Sequence, residues 1–470
     1  VLILGGGVCG LAAAWRLLEK GRGNEVTILE SAEKPGGLAR SLTINGHLAD
    51  LGPHRIFTEL PDVQKFLEDL AGPELVEVRR VSRMWLNGKW IEYPPKVLEV
   101  IGALGVFKLA GAGASFLAGK TAKTLRPANA DNESFESVMV DAFGRGLYEL
   151  LVGRYARKVW KVPGTALHAD IARVRVSAGG LDRMVRRLLN PNSSGPQTAL
   201  QKFHYIAGGV EGLVHKLVSG IESRGGKLLL DRHVDRIESR TDGTFAVSVK
   251  HGDSHETFEA DAVIATTPLP ELVGMIGGAP EPVTRAVGGM RYIANFLIGI
   301  QITGGRISDA QWLYFPGEDT LFNRGYEPRN FHGSMTPDED KSLIVLEVTC
   351  HKDDANWNLS DDALTSACID GLVSTGLASR DRCTPGFVHR IPGTYPLYDL
   401  EYRERMDAVL GWLREFPRLV VTGRQGLFLH NNMDHSMHMG FRAAESLAEA
   451  RPSSAHYEEI RRFQQFRIVD

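Results

Sequence analysis

Cysteine is scarce in this 470-residue chain: Cys9, Cys350, Cys368 and Cys383 stand far apart, with no C-x-x-C pair among them. Such spacing excludes a disulfide framework and a thiolate metal centre, and a reduced, cytoplasmic setting is expected. An excess of one charge is also lacking. Lys and Arg number 54 against 57 Asp and Glu, a net charge of −3, so a nucleic-acid partner is not expected. Long apolar runs are missing too. The best candidate, 97–117, is interrupted by Glu99 and Lys108, whereas a spanning helix needs about 20 mostly apolar residues. It is expected to be a buried or cleft-lining helix, without membrane association. The chain opens on the strand-like Val1–Leu4, from which a secretory leader is not expected, and no internal repeat is visible. The remainder, 43% apolar and 24% charged, is the balance of a globular protein, long enough for about two to four domain-sized cores.

Glycine, by contrast, is abundant at the start. The apolar strand runs into Gly5-Gly6-Gly7-Val8-Cys9-Gly10 and then into Leu-Ala-Ala-Ala-Trp-Arg-Leu-Leu, a strong helix former. This is G-x-G-x-x-G between a strand and a helix, the context that makes the pattern a dinucleotide fingerprint. Gly5 permits the tight turn, Gly7 lets the backbone approach a pyrophosphate, and Gly10 lets the helix pack on the strand. The pyrophosphate would face the unpaired N–H groups of the helix N-terminus. A second strand, Glu25–Glu30, ends in an acid 20 residues after Gly10, where a carboxylate can accept from a ribose diol. A glycine turn without a ligand is the alternative, and the strand, helix and acid at these spacings weigh against it. NAD and FAD both fit this much.

Further segments separate the two by resemblance. Gly36-Gly37-Leu38-Ala39-Arg40-Ser41, six residues past Glu30, resembles the E-x(5–6)-G-G-[RL] signature of amine-oxidase-like flavoproteins, in which the loop passes over FAD. Gly225–Ile237 reads as a strand whose counterpart meets the adenine end through backbone groups at Val234. Ala260–Pro268 resembles the strand that returns to the cofactor. Leu419-Val-Val-Thr-Gly423-Arg424 resembles the closing flavin motif, followed by a helix expected at Phe441–Ala450. The order matches the FAD-dependent amine-oxidase and protoporphyrinogen-oxidase superfamily across most of the chain. The resemblance implies FAD as cofactor. It also implies an α/β, two-dinucleotide-binding-domain (glutathione-reductase-like) fold with an interleaved α+β substrate domain.

Within that superfamily four segments resemble the UDP-galactopyranose mutase branch. Asp50-Leu-Gly-Pro-His54-Arg-Ile-Phe57 is similar to the loop that sets a His beside the flavin, although the mutases have Gly-Gly-His. Arg83–Pro94 looks like the hairpin leading to a Tyr-Pro. Tyr155-Ala-Arg157-Lys158-Val-Trp160, with Arg173 and Arg175 beyond, resembles the substrate-side segment. Gly423–Asp434 is similar to the Gly-Arg … Met-Asp segment near the isoalloxazine and ribityl chain, although Leu427-Phe-Leu-His430-Asn431 replaces its tyrosines. The resemblance thus implies cofactor contacts at Gly5, Gly7, Gly10, Glu30, Gly36, Gly37, Leu38, Arg40, His54, Val234, Gly423, Arg424, Asn432, Met433, Asp434 and Ser436, with His54 also the one catalytic candidate. Substrate contacts are implied at Arg83, Tyr155, Arg157, Trp160, Arg173, Arg175, Arg324, Tyr395, Tyr398 and Asn431. For each a plainer reading stands beside this one: a satisfied loop histidine, a solvated basic face, tyrosines packed beside proline, tryptophans in the core.

The expected domains are 1–80, 203–275 and 405–450 for FAD, 81–202 (helical) and 276–404 (strand-rich: Tyr292–Thr303, Ser342–Thr349, Phe387–Ile391) for substrate, and a tail at 451–470. Asn190–Pro196 reads as an exposed loop. No metal site is readable. The expected activity is an FAD-dependent oxidoreductase acting on a small organic substrate, anionic or nucleotide-linked, in a cleft over the flavin. The alternatives are a redox-neutral nucleotide-sugar mutase and a non-catalytic flavoprotein scaffold.

Overall fold

The computed structural model describes residues 1–21, 25–93, 95, 97–105, 133–175, 200–336, 338–449, 453–466 and 468. The loop expected at Asn190–Pro196 and most of the apolar 97–117 stretch lie outside these residues. From that stretch a helix Val97–Leu104 is described, with Val100, Ala103 and Leu104 buried and Leu98 exposed.

The first layer is a five-stranded parallel sheet that includes the N-terminal strand. Its order is Leu419–Val421, Val263–Ala265, Leu2–Leu4, Thr27–Leu29, Lys227–Leu229. Apart from Lys227 at the start of an edge strand, each strand is a short run of Leu, Ile, Val, Ala or Thr, and the central three are almost wholly buried, as expected where helices cover both faces. Helix Val8–Glu19 turns Val8, Leu11, Ala12, Ala14 and Leu17 inward. It packs beside helix Met433–Ala448, where a Cβ at Gly440 would collide with the Cys9 carbonyl oxygen. Only glycine allows that approach.

A seven-stranded mixed sheet forms the second layer, in the order Cys383–Pro396, Tyr292–Thr303, Lys341–Cys350, Arg324–Tyr326, Trp312–Tyr314, Ser82–Leu86, Lys89–Glu92. Side chains alternate between its faces. Phe296, Ile298, Ile300, Ile344, Leu346 and Phe322 pack under helix Asp361–Ser374. Leu297, Val345, Tyr326 and Ile391 join the core that lies between this sheet and the parallel sheet with its helix Val8–Glu19. The sheet is therefore sandwiched, and its second face looks toward the layer of the parallel sheet.

Three expectations are corrected. Gly225–Ile237 is two strands in two sheets, Lys227–Leu229 and His233–Ser239, because Asp231 takes a left-handed turn at φ 54° between them. The helix expected at Phe441–Ala450 starts at Met433, two turns before Phe441, with Asn432 and His435 closing a reciprocal capping box. The 81–202 region is not purely helical: Ser82–Glu92 is a hairpin of the large sheet, and Lys202–Tyr205 pairs with Val76–Arg79. The tail contains helix Ser453–Phe463.

Candidate active site

Two glycine loops, expected from the sequence to hold the cofactor, are pressed backbone to backbone. Gly36 N–H donates to the Gly6 carbonyl at 2.8 Å, and Gly7 and Gly36 form a parallel bridge. Gly5, Gly36 and Gly37 have φ of 105°, 109° and 59°, a region that side chains disfavour. A Cβ on Gly37 would come within 3.2 Å of the Gly7 Cα, and one on Gly10 would collide with the Gly5 carbonyl oxygen. Glu30 accepts from Gly6 N–H at 2.7 Å through one oxygen and from Ala32 N–H at 2.9 Å through the other. It is thereby fixed at the strand end with lone pairs to spare. Arg40 folds back onto the Gly37 carbonyl at 2.8 Å, Leu38 packs against the nearby core, and Val234, on strand His233–Ser239, packs against a different core cluster.

Gly423 (φ 86°) abuts Cys9 and Thr266, bringing the closing segment against the fingerprint. There Asn431 Oδ1, Asp434 Oδ1 and Thr267 Oγ1 are shut off from solvent without a hydrogen-bond partner. Buried acceptors of this kind normally have donors, and the hydroxyl-bearing ribityl and ribose of FAD would supply them. Asn432, Met433 and Ser436 occupy the first turn of the same helix, where Ser436 N–H donates to the Asn432 carbonyl at 3.1 Å. The residues fit FAD: a glycine cradle, an acid for the ribose, a helix N-terminus and unpartnered acceptors.

His54 lies on the loop between hairpin Ser41–Asp50 and the isolated bridge Ile56–His204. It is half-buried, and its Nδ1 is inaccessible and without a hydrogen-bond partner. Desolvation pushes the imidazole down to about 4; Glu347 opposes this, Arg324 and Arg424 add to it, and the Gly52 carbonyl opposes it weakly. Near pH 7 it is neutral.

Facing it on the large sheet, Arg324 and Glu347 are cross-strand partners joined by two hydrogen bonds of 2.7 and 2.8 Å. Tyr395 OH accepts from Arg324 at 3.2 Å, and Asn295 Nδ2 donates to Glu347 at 3.2 Å. Glu347 is buried, and the pair is bidentate, the geometry in which Arg and carboxylate bind most firmly. Burial beside Tyr314 raises the Tyr155 phenol above its ordinary range, against the pull of Arg324. Tyr93, Tyr314 and Tyr155 form one aromatic wall, with centroids 4.7 and 6.2 Å apart. Trp160, Tyr395 and His430 form another. Arg424 sits over Tyr395 and donates to the carbonyls of Thr394 at 2.9 Å and Asn431 at 2.5 Å.

The structure thus brings His54, Tyr155, Trp160, Arg324, Tyr395, Arg424 and Asn431 together. Tyr398 is buried, stacked on Tyr402 at 4.0 Å, with its OH accepting from His430 N–H at 3.1 Å. Arg83 is bound by Asp309, Arg157 by Glu149 at 3.0 Å, and Arg173 by Asp170 at 2.9 Å. The Arg175 side chain lies outside the described residues. Sequence reading missed Glu347, Asn295 and Tyr314. Glu347 left a signal: it is the one charged residue between Ser342 and Cys350, and an acid inside an apolar strand needs a partner.

Fold and site together define an FAD-dependent flavoprotein oxidoreductase. The chain belongs to the family of flavin-containing amine oxidoreductases, whose profile matches residues 8–447. It is 22% identical over 397 residues to the coproporphyrinogen III oxidase of Mycobacterium tuberculosis, an alignment covering 79% of this chain and 81% of that protein. Among solved structures it superposes on reduced UDP-galactopyranose mutase with a TM-score of 0.83, at 23% identity and with 99% and 98% of the two chains covered. Putrescine oxidase bound to putrescine superposes at 0.61, with 17% identity and 96% and 98% covered. Among the described residues no helix is long and apolar enough to cross a membrane.

Proposed function

We propose that the substrate is a small organic molecule, held in a cleft between the His54 loop and the sheet strands bearing Arg324, Glu347 and Tyr395. The observation that carries this is the meeting of a neutral, half-buried imidazole with a buried bidentate ion pair, flanked by two aromatic walls. Segments 1–80, 203–275 and 405–450 would hold FAD, and 81–202 with 276–404 would shape the cleft. Gly5, Gly7, Gly10, Glu30, Gly36, Gly37, Arg40, Gly423, Asn432 and Asp434 would hold the cofactor. When bound, FAD supplies the two-electron exchange, while the protein supplies orientation and electrostatics. Arg324 keeps its proton, and Glu347 balances its charge, so the pair presents a fixed dipole. His54 presents an imidazole without adding a cation. Tyr155, Trp160 and Tyr395 would set the shape accepted.

The name of the mycobacterial relative supports a porphyrinogen as the organic substrate. Anaerobic mixing of the oxidised holoenzyme with coproporphyrinogen III should bleach the visible flavin band. An unchanged band would remove that substrate. A second reading is a redox-neutral mutase, favoured by the clustering of Tyr155 and Tyr395 about Arg324. Dithionite-reduced enzyme that converted UDP-galactopyranose to its furanose form, with no net flavin oxidation, would replace the oxidoreductase reading.

A further inference from the structure

Asp50 is a buried carboxylate to which sequence reading gives no role of its own. It is served by three separate parts of the chain. Ser41 Oγ donates to Oδ1 at 2.6 Å from the opposite hairpin strand, and Tyr205 OH donates to Oδ2 from strand Lys202–Tyr205. Val210 N–H, at the start of helix Val210–Glu222, donates to Oδ1 at 3.2 Å. Gly209 is fitted to this arrangement: its φ is 77°, and a Cβ there would stand 2.5 Å from Asp50 Oδ1 and 2.7 Å from Ser41 Oγ. A buried acid usually costs stability, so three convergent donors mark a built feature.

The neighbours of Asp50 explain what it holds. Its carbonyl accepts from Gly52 N–H at 2.7 Å and from the Tyr326 hydroxyl. Gly52 in turn accepts from His54 N–H at 2.9 Å. On the far side of the loop Ile56 exchanges two hydrogen bonds, of 2.9 and 2.8 Å, with His204. The segment bearing His54 is thus clamped at both ends to one strand, through Asp50–Tyr205 and Ile56–His204. Tyr326 lies two residues beyond Arg324 on the same short strand, so the Asp50 carbonyl also ties the loop to the sheet that carries the Arg324–Glu347 pair.

We propose that Asp50 is a positioning residue: it fixes His54 and the Arg324 strand relative to each other, and so acts on the flavin environment through His54. This rests on the reading of His54 as the flavin-facing residue, and the two can be tested apart. The measurement is the midpoint potential of FAD in intact holoenzyme, which reports the ratio of affinities for the oxidised and reduced cofactor and needs no substrate. Four proteins are compared: wild type, His54→Ala, Asp50→Asn and the double variant. His54→Ala should change the ratio about tenfold, equivalent to about 30 mV for a two-electron couple. Asp50→Asn should produce a change of similar size, and the double variant no more than either alone, since residues acting as one unit are non-additive. Tyr326→Phe, which removes only the tether to the Asp50 carbonyl, should move the potential in the same direction, and serves if Asp50→Asn does not fold. An unmoved potential in His54→Ala overturns the reading of His54. A moved potential there, with Asp50→Asn or Tyr326→Phe lowering only the thermal midpoint, overturns the role of Asp50 alone. Fully additive shifts in the double variant also overturn it.

Discussion

At Gly10 one missing methyl group decides whether a strand and a helix can meet. A Cβ there would collide with the Gly5 carbonyl oxygen, which turns at φ 105°. Gly10→Ala is therefore expected to cost about 1–3 kcal/mol through overpacking and to empty the cradle. The A280/A450 ratio of the purified protein and its thermal midpoint check both. His54 makes a different demand. Its imidazole is held down to about 4 against an ordinary 6.5, so between those values the unfolded chain binds a proton that the fold refuses. Its contribution to stability is full above pH 6.5 and is lost as pH falls through about 4. Asp50, raised by burial from 3.8 to about 6, works in the opposite sense: its contribution is full below 3.8 and is lost as pH rises through about 6. The two windows overlap, so His54→Asn should isolate the first. Urea unfolding should show a smaller acid loss in that variant than in wild type, and equal losses would refute the assignment.

Between strands, the unit is the Arg324–Glu347 pair. Arg324→Met leaves a buried carboxylate with Asn295 as its remaining side-chain hydrogen-bond donor, a loss on the order of 3–5 kcal/mol. Arg324→Met with Glu347→Leu removes both charges and should recover part of that stability, since an apolar pair of similar volume is often tolerated. Chemical denaturation of the two variants decides it; a double variant no more stable than the single would show that the pair holds the sheet by more than charge balance. This element also shows where reading a sequence succeeds and fails. The glycines at 5, 36 and 37, all at positive φ, and at 10, where a Cβ would strike the Gly5 carbonyl oxygen, were legible because backbone geometry leaves no choice there. Gly7, extended at φ −71° and free of close contacts, was legible from the spacing of the pattern alone, and Glu30 because its distance from the turn is set by one helix and one strand. The start of the helix at Met433 was not: its cap pairs Asn432 with His435, and apolar periodicity grows strong only further along. The break at Asp231 was hidden by an unbroken β-like pattern. Asp50 draws its donors from residues 41, 205 and 210, a convergence that exists only once the chain has folded. Arg157 and Arg173 read as one basic cluster, yet each has a carboxylate of its own at 149 and 170.

Across the whole molecule the tail acts as a strap. Leu419–Val421 is an edge strand of the parallel sheet, and helix Ser453–Phe463 covers it, with the His456 ring 2.8 Å from the Val421 carbonyl. Further on, Phe466 stacks on His435 at 4.4 Å, and Ile468 N–H donates to the Val174 carbonyl at 3.0 Å. Truncation after Glu449 should expose the edge, lower the thermal midpoint and promote association, because bare edges pair with other chains. Light scattering during heating checks this; a truncated chain as monodisperse as the full one would refute it.

The contact of Gly440 with the Cys9 carbonyl has a bearing on how the enzyme is made. The first glycine loop leaves the ribosome early, but the wall that closes it arrives with residues 423–440, and the two halves touch with no side chain between them. Pairings between such distant parts form late. A nascent chain halted before this closing segment should therefore be unable to retain FAD, and cofactor capture becomes a checkpoint that only a finished polypeptide can pass.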